Sequence, residues 1–328
     1  MKYEIIDCID AGTEYCPCHL AETGDCILCS ELCSKTFCDC VNWKGTCIYQ
    51  EFIWNGKKAK EGRKTYSCKL INKTLVEENL IILKIKVPYE LSESLVHPGS
   101  LVFLRNPESE VFYNSPISIM NVNTEKSIIS LAIEIKGTKT KKIEDINIGE
   151  EILVKGPFWN GVLGLRHILK CNNGRAIVVA RGIGMAPMLS VIKKLCANGN
   201  KVTVIIDKGR YSNIFIKEYL DVYDVEIIEC STLLIDGELT EELKELLSNF
   251  LKNEDINLIH CSGADILNYK VMKYIGDNIN YSCCNNAKMC CGEGMCGACT
   301  LSYEGDKIRR MCKLQVDPKY VFERRRLI

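Results

Sequence analysis

The chain has 328 residues, 47 % of them hydrophobic, and its 42 basic side chains are balanced by 42 acidic ones. That composition excludes a disordered chain, and the even charge leaves no basic field for nucleic acid or an acidic membrane surface. The N-terminus lacks a charged leader followed by a long apolar run, and no stretch reaches the apolar length of a membrane span. These features predict a cytoplasmic protein, in which 21 cysteines, an odd total in tight local clusters, suit metal thiolates better than disulfides.

Nine cysteines fall between Cys8 and Cys47, ahead of a polar, lysine-rich segment, Asn55 to Lys64, that reads as a linker. Residues 1–62 are therefore expected as a separate small module. About sixty residues with few aliphatics are marginal on hydrophobic burial alone, whereas a structural metal contributes on the order of 10 kcal/mol to folding. Cys26, Cys29, Cys38 and Cys40 are candidate ligands, with Cys16, Cys18 and Cys47 supplying the remainder and His19 as a further donor. An iron-sulfur centre suits the chemistry read below, and zinc is the alternative. Cys8 and Cys33 read as packing thiols.

Residues 63–160 carry β-type runs at Tyr66 to Asn72, Leu80 to Val87, Leu101 to Arg105, Ile117 to Val122, Ile128 to Ile135 and Ile152 to Lys155. Six strands with short polar turns predict a small antiparallel barrel. Between the last two, Gly137-Thr138-Lys139-Thr140 opens a short helical stretch, either a phosphate-receiving loop or a plain capped turn.

In residues 161–280 the period changes. Arg175 to Ala180 is a buried strand, and Arg181-Gly182-Ile183-Gly184-Met185-Ala186-Pro187 opens a helix to about Ala197. Strand, glycine turn and helix suggest dinucleotide binding, with an ordinary α/β turn as the alternative. Strands at Lys201 to Asp207, Val225 to Glu229 and Asn257 to Cys261 alternate with helices near 213–220, over 238–251 and from Ala264, which predicts a parallel, helix-flanked sheet. Asp207, at a strand end, favours a ribose hydroxyl and hence NAD, while Lys208 and Arg210 suit the extra phosphate of NADP.

The last stretch, 281–328, holds Cys291, Cys296, Cys299 and Cys312 among Gly292, Gly294 and Gly297. Four residues separate the first pair and two the second, with the last thiol arriving later, which is the order of a plant-type [2Fe-2S] loop. Cys290 is the rival for the first position. Zinc ribbons pair one short Cys-x-x-Cys with another, and only Cys296 and Cys299 form such a pair here.

Barrel, nucleotide sheet and [2Fe-2S] loop in this order resemble the ferredoxin-NADP reductase superfamily, most closely the electron-transfer subunits of dihydroorotate dehydrogenases and the small subunits of electron-bifurcating transhydrogenases. The resemblance runs from about Lys64 to the C-terminus. It implies that Ser115-Pro116-Ile117-Ser118 is the counterpart of an Arg-Pro-Ile-Ser motif that binds FAD, here without the arginine. It further implies that Gly137 to Thr140 face the cofactor's pyrophosphate, and that Arg181 to Pro187 match a Gly-Gly-x-Gly-x-x-Pro nucleotide loop with arginine in the first place. Cys261-Ser262-Gly263 stands for a Cys-Gly-Pro beside the reacting nicotinamide, which makes Cys261 the candidate catalytic residue and Gly263 a cofactor contact. The expected protein is thus a multidomain β plus α/β electron-transfer flavoprotein using FAD, NAD(H) or NADP(H), a C-terminal [2Fe-2S] cluster and an additional N-terminal centre. Its expected partner is a separate catalytic oxidoreductase subunit, with ferredoxin as a further candidate. The alternative is an iron-sulfur or zinc-dependent sensing or assembly subunit with non-functional nucleotide sites.

Overall fold

The computed structural model describes residues 6–39, 43–303 and 307–322. It divides into two compact units, one joining the chain up to Lys64 with the chain from Ala287, the other spanning Thr65–Asn286. The two cysteine-rich ends, expected as separate modules, therefore share one unit.

The first part of that shared unit contributes strand β1 (Asp7–Cys8) and helices α1 (His19–Glu22) and α2 (Ile48–Trp54). Helix α2 starts where the Cys47 thiol accepts the Gln50 N–H at 3.5 Å, so sulfur takes the place of the usual capping oxygen. The segment expected as a linker is anchored: Ala59 N–H donates to Glu22 Oε1 at 2.7 Å, Lys60 N–H donates to Pro17 O at 2.9 Å, and Arg63 is buried. A polar, lysine-rich sequence misreads as a linker when its backbone amides and one guanidinium have partners elsewhere in the chain.

In Thr65–Asn286 the barrel region comprises β2 (Thr65–Glu77), β3 (Leu80–Lys86), helix α3 (Tyr89–Ser94), β4 (Leu101–Arg105), β5 (Ser115–Ser118), β6 (Asn121–Asn123), β7 (Ile128–Glu134), helix α4 (Thr138–Glu144) and β8 (Glu151–Phe158). The strands form one antiparallel sheet in the order β5-β4-β8-β2-β3-β7-β6. The single strand expected over Ile117 to Val122 is two, β5 and β6, at opposite edges of that sheet and joined by buried Ile119 and Met120 alone. Consecutive short strands reach opposite edges only if the sheet curls back on itself, which gives the barrel. Its interior is aliphatic, with Leu70, Leu83, Ile85, Ile129, Leu131 and Ile152 fully enclosed.

The nucleotide region continues with β9 (Val162–Leu163), α5 (Leu165–Lys170), β10 (Arg175–Arg181), α6 (Met185–Ala197), β11 (Lys201–Asp207), α7 (Lys217–Leu220), β12 (Val225–Glu229), α8 (Glu241–Asn253), β13 (Ile256–Ser262), α9 (Asp265–Ile275) and β14 (Asn280–Cys284). The sheet order is β12-β11-β10-β13-β14-β9, parallel throughout except for edge strand β9. The inner residues of β10 are buried without alternation, as helices on both faces require. Strand β14 runs to Cys284, past the boundary at 280/281 expected from sequence. Its Tyr281-Ser282-Cys283-Cys284 run is wholly buried but lacks the branched aliphatics that announce a parallel strand.

The chain then returns to the first unit with hairpin β15 (Thr300–Tyr303) and β16 (Lys307–Arg310), strand β17 (Leu314–Gln315) and helix α10 (Lys319–Phe322). Strand β17 pairs antiparallel with β1, setting Cys8 opposite Leu314 and Asp7 opposite Gln315. Nearby lies a buried quartet of charges. Arg63 grips Asp10 through both guanidinium nitrogens (2.5 and 2.9 Å) and reaches Glu293 Oε2 at 2.9 Å, while Lys313 Nζ contacts Asp10 and lies 3.4 Å from Glu293 Oε2. Two cations and two anions compensate one another there, and burial penalises Asp10 less than Lys313 and Arg63 stabilise it, so its carboxyl stays below the ordinary range.

Candidate functional site

Within Thr65–Asn286 a cavity of about 560 Å³ opens where the barrel meets the C-terminal ends of the parallel strands. Open α/β sheets place ligands at that end, because glycine turns and helix starts gather there. From the barrel come Pro116, Ile117 and Ser118 of β5, and Glu134 and Lys136 at the end of β7. From the sheet come Arg181 at the end of β10 with Gly184 and Pro187 after it, Gly263 and Asp265 after β13, and Cys284 at the end of β14 with Asn285 and Asn286 after it. The barrel motif and the glycine loop, more than sixty residues apart in sequence, therefore face one space.

The glycines of the loop have distinct tasks. Gly182 has φ +56°, a left-handed conformation that side chains rarely adopt. At Gly184 an added Cβ would lie 2.1 Å from the Ser262 carbonyl oxygen, so this glycine lets the β10–α6 turn press onto the end of β13. Helix–strand contact, more than approach to a pyrophosphate, explains Gly184. Arg181, in the place of a glycine, extends its guanidinium to Asp207 Oδ2 at 3.0 Å. The same Asp207 oxygen accepts from Thr232 N (2.8 Å) and Oγ1 (2.7 Å), and its Oδ1 accepts from Gly209 N at 2.7 Å. Asp207 is thus buried and spends its acceptors on fixing Arg181 and two loops. Lys208 pairs with Glu229 and Arg210 with Glu134.

Other expected contacts distribute differently. Ser115 is buried and its hydroxyl donates to Tyr113 O at 3.2 Å, turned away from the space that its neighbours line. The amides of Lys136 and Gly137 donate to Thr140 Oγ1 (3.1 and 3.3 Å), and Lys139 Nζ donates to Asn114 O at 3.2 Å, so much of the Gly137–Thr140 turn is engaged in its own capping. Thr138 begins α4 beside them.

Cys261 is fully buried and does not line the cavity; burial pushes its thiol far above the ordinary range. The thiol that does line it is Cys284, one strand over, pushed up by burial to about 11. Its Sγ lies 2.9 Å from the Ser262 hydroxyl, which donates to Gly184 O at 2.6 Å. Sequence reading also passed over Asn285 and Asn286. Asn285 donates through Nδ2 to Asn160 O, and Asn286 donates to Gly263 O and Asp265 Oδ1 (2.7 and 3.0 Å), pinning the rim between strand ends. Two adjacent asparagines ahead of a cysteine loop carried the signal, which the early module boundary concealed.

In the other unit the C-terminal loop aims backbone donors at sulfur. Cys291 Sγ accepts the amides of Glu293 and Cys296 (3.3 and 3.5 Å), and Cys299 Sγ accepts that of Cys312 at 3.4 Å. Amide donors of this kind stabilise thiolate ligands, so the donor set fits a cluster. A hydrogen bond with the Cys312 side chain outweighs burial and holds the Cys299 thiol below its ordinary range. Gly292, Gly294 and Gly297 all have positive φ, and Gly294 lies against Leu20 of α1. Cys290 and Cys296 are exposed.

Of the N-terminal candidates, Cys16, Cys18, Cys26, Cys29 and Cys47 are partly buried, Cys38 is exposed, and Cys40 lies outside the described residues. Among the described residues no three His, Cys, Asp or Glu side chains converge on a position for a single metal ion. Nor, among them, is any helix long and apolar enough to cross a membrane.

No family model matches the chain. Over 239 residues, 73 % of this chain and 88 % of the relative, it is 29 % identical to the electron transfer subunit of dihydroorotate dehydrogenase B (NAD(+)) from Clostridium acetobutylicum. The corresponding subunit of Streptococcus mutans is 25 % identical over 211 residues, 64 % of this chain and 78 % of that one. Among solved structures, an NADH-dependent reduced ferredoxin-NADP oxidoreductase studied for flavin-based electron bifurcation superposes with a TM-score of 0.61 at 20 % identity, covering 80 % of this chain and 93 % of its own. The ferredoxin reductase of carbazole 1,9a-dioxygenase gives 0.51 at 10 % identity, over 67 % and 69 % of the two chains. The chain is therefore a sequence relative of the dihydroorotate dehydrogenase B electron transfer subunits and carries the ferredoxin-NADP reductase fold, as its motifs lead one to expect.

Proposed function

We propose that this protein is the electron-transfer subunit of an NAD(P)H-dependent flavin oxidoreductase, exchanging hydride with a nicotinamide nucleotide and single electrons with a separate catalytic subunit. The observation that carries this reading is the shared cavity, in which the barrel's Pro116-Ile117-Ser118 faces the Arg181–Pro187 turn. Bound FAD would supply the conversion between hydride and single-electron transfer, chemistry that protein side chains lack. Pro116, Ile117 and Ser118 would flank its ring system, with the Ser118 hydroxyl a hydrogen-bond donor, and Gly137–Thr140 with Lys136 would lie toward its phosphates. Losing the motif's arginine at Ser115 weakens binding without abolishing it, since one charge-assisted contact is worth about 1.5–3 kcal/mol.

Arg181, held by Asp207, would meet the phosphates of the nicotinamide nucleotide, and Gly263 and Cys284 would border its reacting end. Cys261 acts through packing beneath them. Because Asp207 is spent on Arg181 and Thr232, the choice between NAD and NADP rests on the rim cations Lys208 and Arg210, both paired with carboxylates; we infer NADH as the preferred donor. Cys291, Cys296, Cys299 and Cys312 would hold a [2Fe-2S] cluster, and the N-terminal thiols an additional iron-sulfur centre, zinc being the alternative. The relatives named above work with a dihydroorotate dehydrogenase and the structural neighbour with reduced ferredoxin, so those two classes of partner are the ones to test. A sensing or assembly subunit with closed nucleotide sites is the lesser reading, given a cavity of this size.

Anaerobically purified full-length protein is expected to hold FAD stoichiometrically and to be bleached by NADH faster than by NADPH in stopped-flow absorbance. Arg181→Ala should raise the NADH concentration for half-maximal reduction about tenfold to a hundredfold. Failure to form a stoichiometric complex after reconstitution with excess FAD would refute the flavoprotein reading.

A further inference from the structure

Nine N-terminal cysteines exceed the needs of one centre, and the structure sorts them. Cys8, Cys16, Cys18 and Cys26 line a single small, mainly apolar space, walled otherwise by residues such as Asp10, Pro17 and Leu20. Of these sulfurs, Cys26 accepts the Cys29 amide at 3.4 Å, in the manner of a ligating thiolate. Cys29, Cys38 and Cys47 lie outside that space, and the Cys47 sulfur accepts the Gln50 amide at 3.5 Å.

Cys8 is the revealing member. A packing thiol keeps its proton and donates it, as Cys171 does to Asn200 Oδ1 (3.3 Å) and Cys230 to Ser231 O (3.1 Å). Among the described residues Cys8 makes no such donation and instead lines the space shared with three other thiols. Its backbone is fixed by the pairing of β1 with β17, two residues beyond Cys312. Four cysteines around one mainly apolar space suit a polynuclear iron-sulfur cluster, whose irons and sulfides keep the thiolates apart.

We propose that Cys8, Cys16, Cys18 and Cys26 hold one iron-sulfur cluster, and that Cys29, Cys38 and Cys47 belong to a second metal-thiolate centre. The inference rests on the reading that the N-terminal thiols bind metal, and deepens it by dividing them and by making Cys8 a ligand.

The test compares anaerobically purified full-length wild type with Cys8→Ser, Cys29→Ser, the double variant and Cys33→Ser. Iron, acid-labile sulfide and zinc are measured per FAD, together with electron paramagnetic resonance after dithionite reduction; constant FAD per chain reports that Thr65–Asn286 remains folded. Cys8→Ser and Cys29→Ser should each lose a different centre, the losses should add in the double variant, and Cys33→Ser should match wild type. Wild-type metal content and spectra in Cys8→Ser would overturn the assignment. Should the single variants lose the whole N-terminal module, Mössbauer spectra of iron-57-labelled wild type, with its zinc content, decide the matter: an N-terminal cluster accompanied by a second, distinct N-terminal iron or zinc site upholds the division, and metal accounted for by a single N-terminal site overturns it. Wild type with iron for the C-terminal cluster alone and no zinc would sink the broader reading of metal-binding N-terminal thiols, a result separable from the others.

Discussion

Thr65–Asn286 buries continuous aliphatic layers, with Leu83, Ile129, Val178 and Ile192 wholly enclosed, whereas the unit built from the two chain ends buries Asp10, Arg63, Glu293 and Lys313 beside an apolar cluster of Ala21, Leu32 and Phe52. An aliphatic interior stabilises itself by leaving water, at roughly 25 cal/mol per Å² of apolar area. An interior that adds ions and thiols to a smaller apolar set, with Leu314, Val321 and Phe322 among it, gains less in this way. Each buried charge must be compensated by another, and each thiolate by a metal, before the unit gains anything from being compact. The cofactor cavity thus sits in a fold that does not need the cofactor, while the proposed clusters sit in a unit whose stability comes largely from them.

Removing the metals should therefore have the largest effect and should strike one unit only. With a structural site contributing on the order of 10 kcal/mol, anaerobic chelation is expected to strip amide hydrogen-exchange protection from the segments up to Lys64 and from Ala287 onward. Protection within Thr65–Asn286 should persist, along with its bound FAD. Retained protection of α1, α2 and the β1–β17 pair in metal-free protein would dissolve the contrast between the units.

The charge quartet offers the next largest effect. Arg63→Met keeps much of the side chain's length but leaves Asp10 and Glu293 facing Lys313 alone, an uncompensated buried charge that costs about 3–5 kcal/mol. Exchange protection in the cysteine-rich unit should fall and the Cys291 loop should lose iron, because the Arg63 guanidinium also holds Glu293, two residues from Cys291, at 2.9 Å. The flavin spectrum should be unchanged. Equal loss of FAD would mean that the two units do not fold as independently as their interiors suggest.

The same contrast accounts for what could be read in the sequence. The aliphatic unit was legible because its periodicity is its stabilising force: β3, β7, β10 and β11 fall where the apolar runs do. Where burial is carried by other chemistry the pattern fell silent. Strand β14 is built from Tyr281, Ser282 and two cysteines, and Arg63 looked like part of a solvated linker because nothing local says that its partners lie at Asp10 and Glu293. At the cavity, Arg181–Pro187 was legible from the glycine turn between strand and helix, and Pro116–Ser118 from the family resemblance. The displacement of the cavity-facing thiol from Cys261 to Cys284 was not, since it depends on which face of neighbouring strands turns toward the barrel.

The smallest effect probes the limit of the aliphatic unit's self-sufficiency, at its one enclosed imidazole. His260 lies in the middle of the sheet on β13, fully buried, with Nδ1 2.9 Å from the Ser282 hydroxyl and no partner for Nε2 among the described residues. Burial disfavours the charged ring and takes its pKa down to about 3 in the folded protein, against an ordinary value of 6.5. Well above pH 6.5 the ring is neutral in both states and adds no pH dependence. As the pH falls the unfolded chain takes up a proton that the native chain refuses, so stability drops by up to about 1.4 kcal/mol per pH unit until the folded pKa is reached. Between pH 7 and pH 5 this amounts to about 2 kcal/mol, alongside whatever the carboxylates contribute. In denaturant titrations followed by flavin release, His260→Gln should lose that portion of the acid sensitivity while keeping the rest. Superimposable pH profiles for wild type and variant would show that the ring is protonated in the native sheet, and that even the aliphatic unit harbours a buried charge.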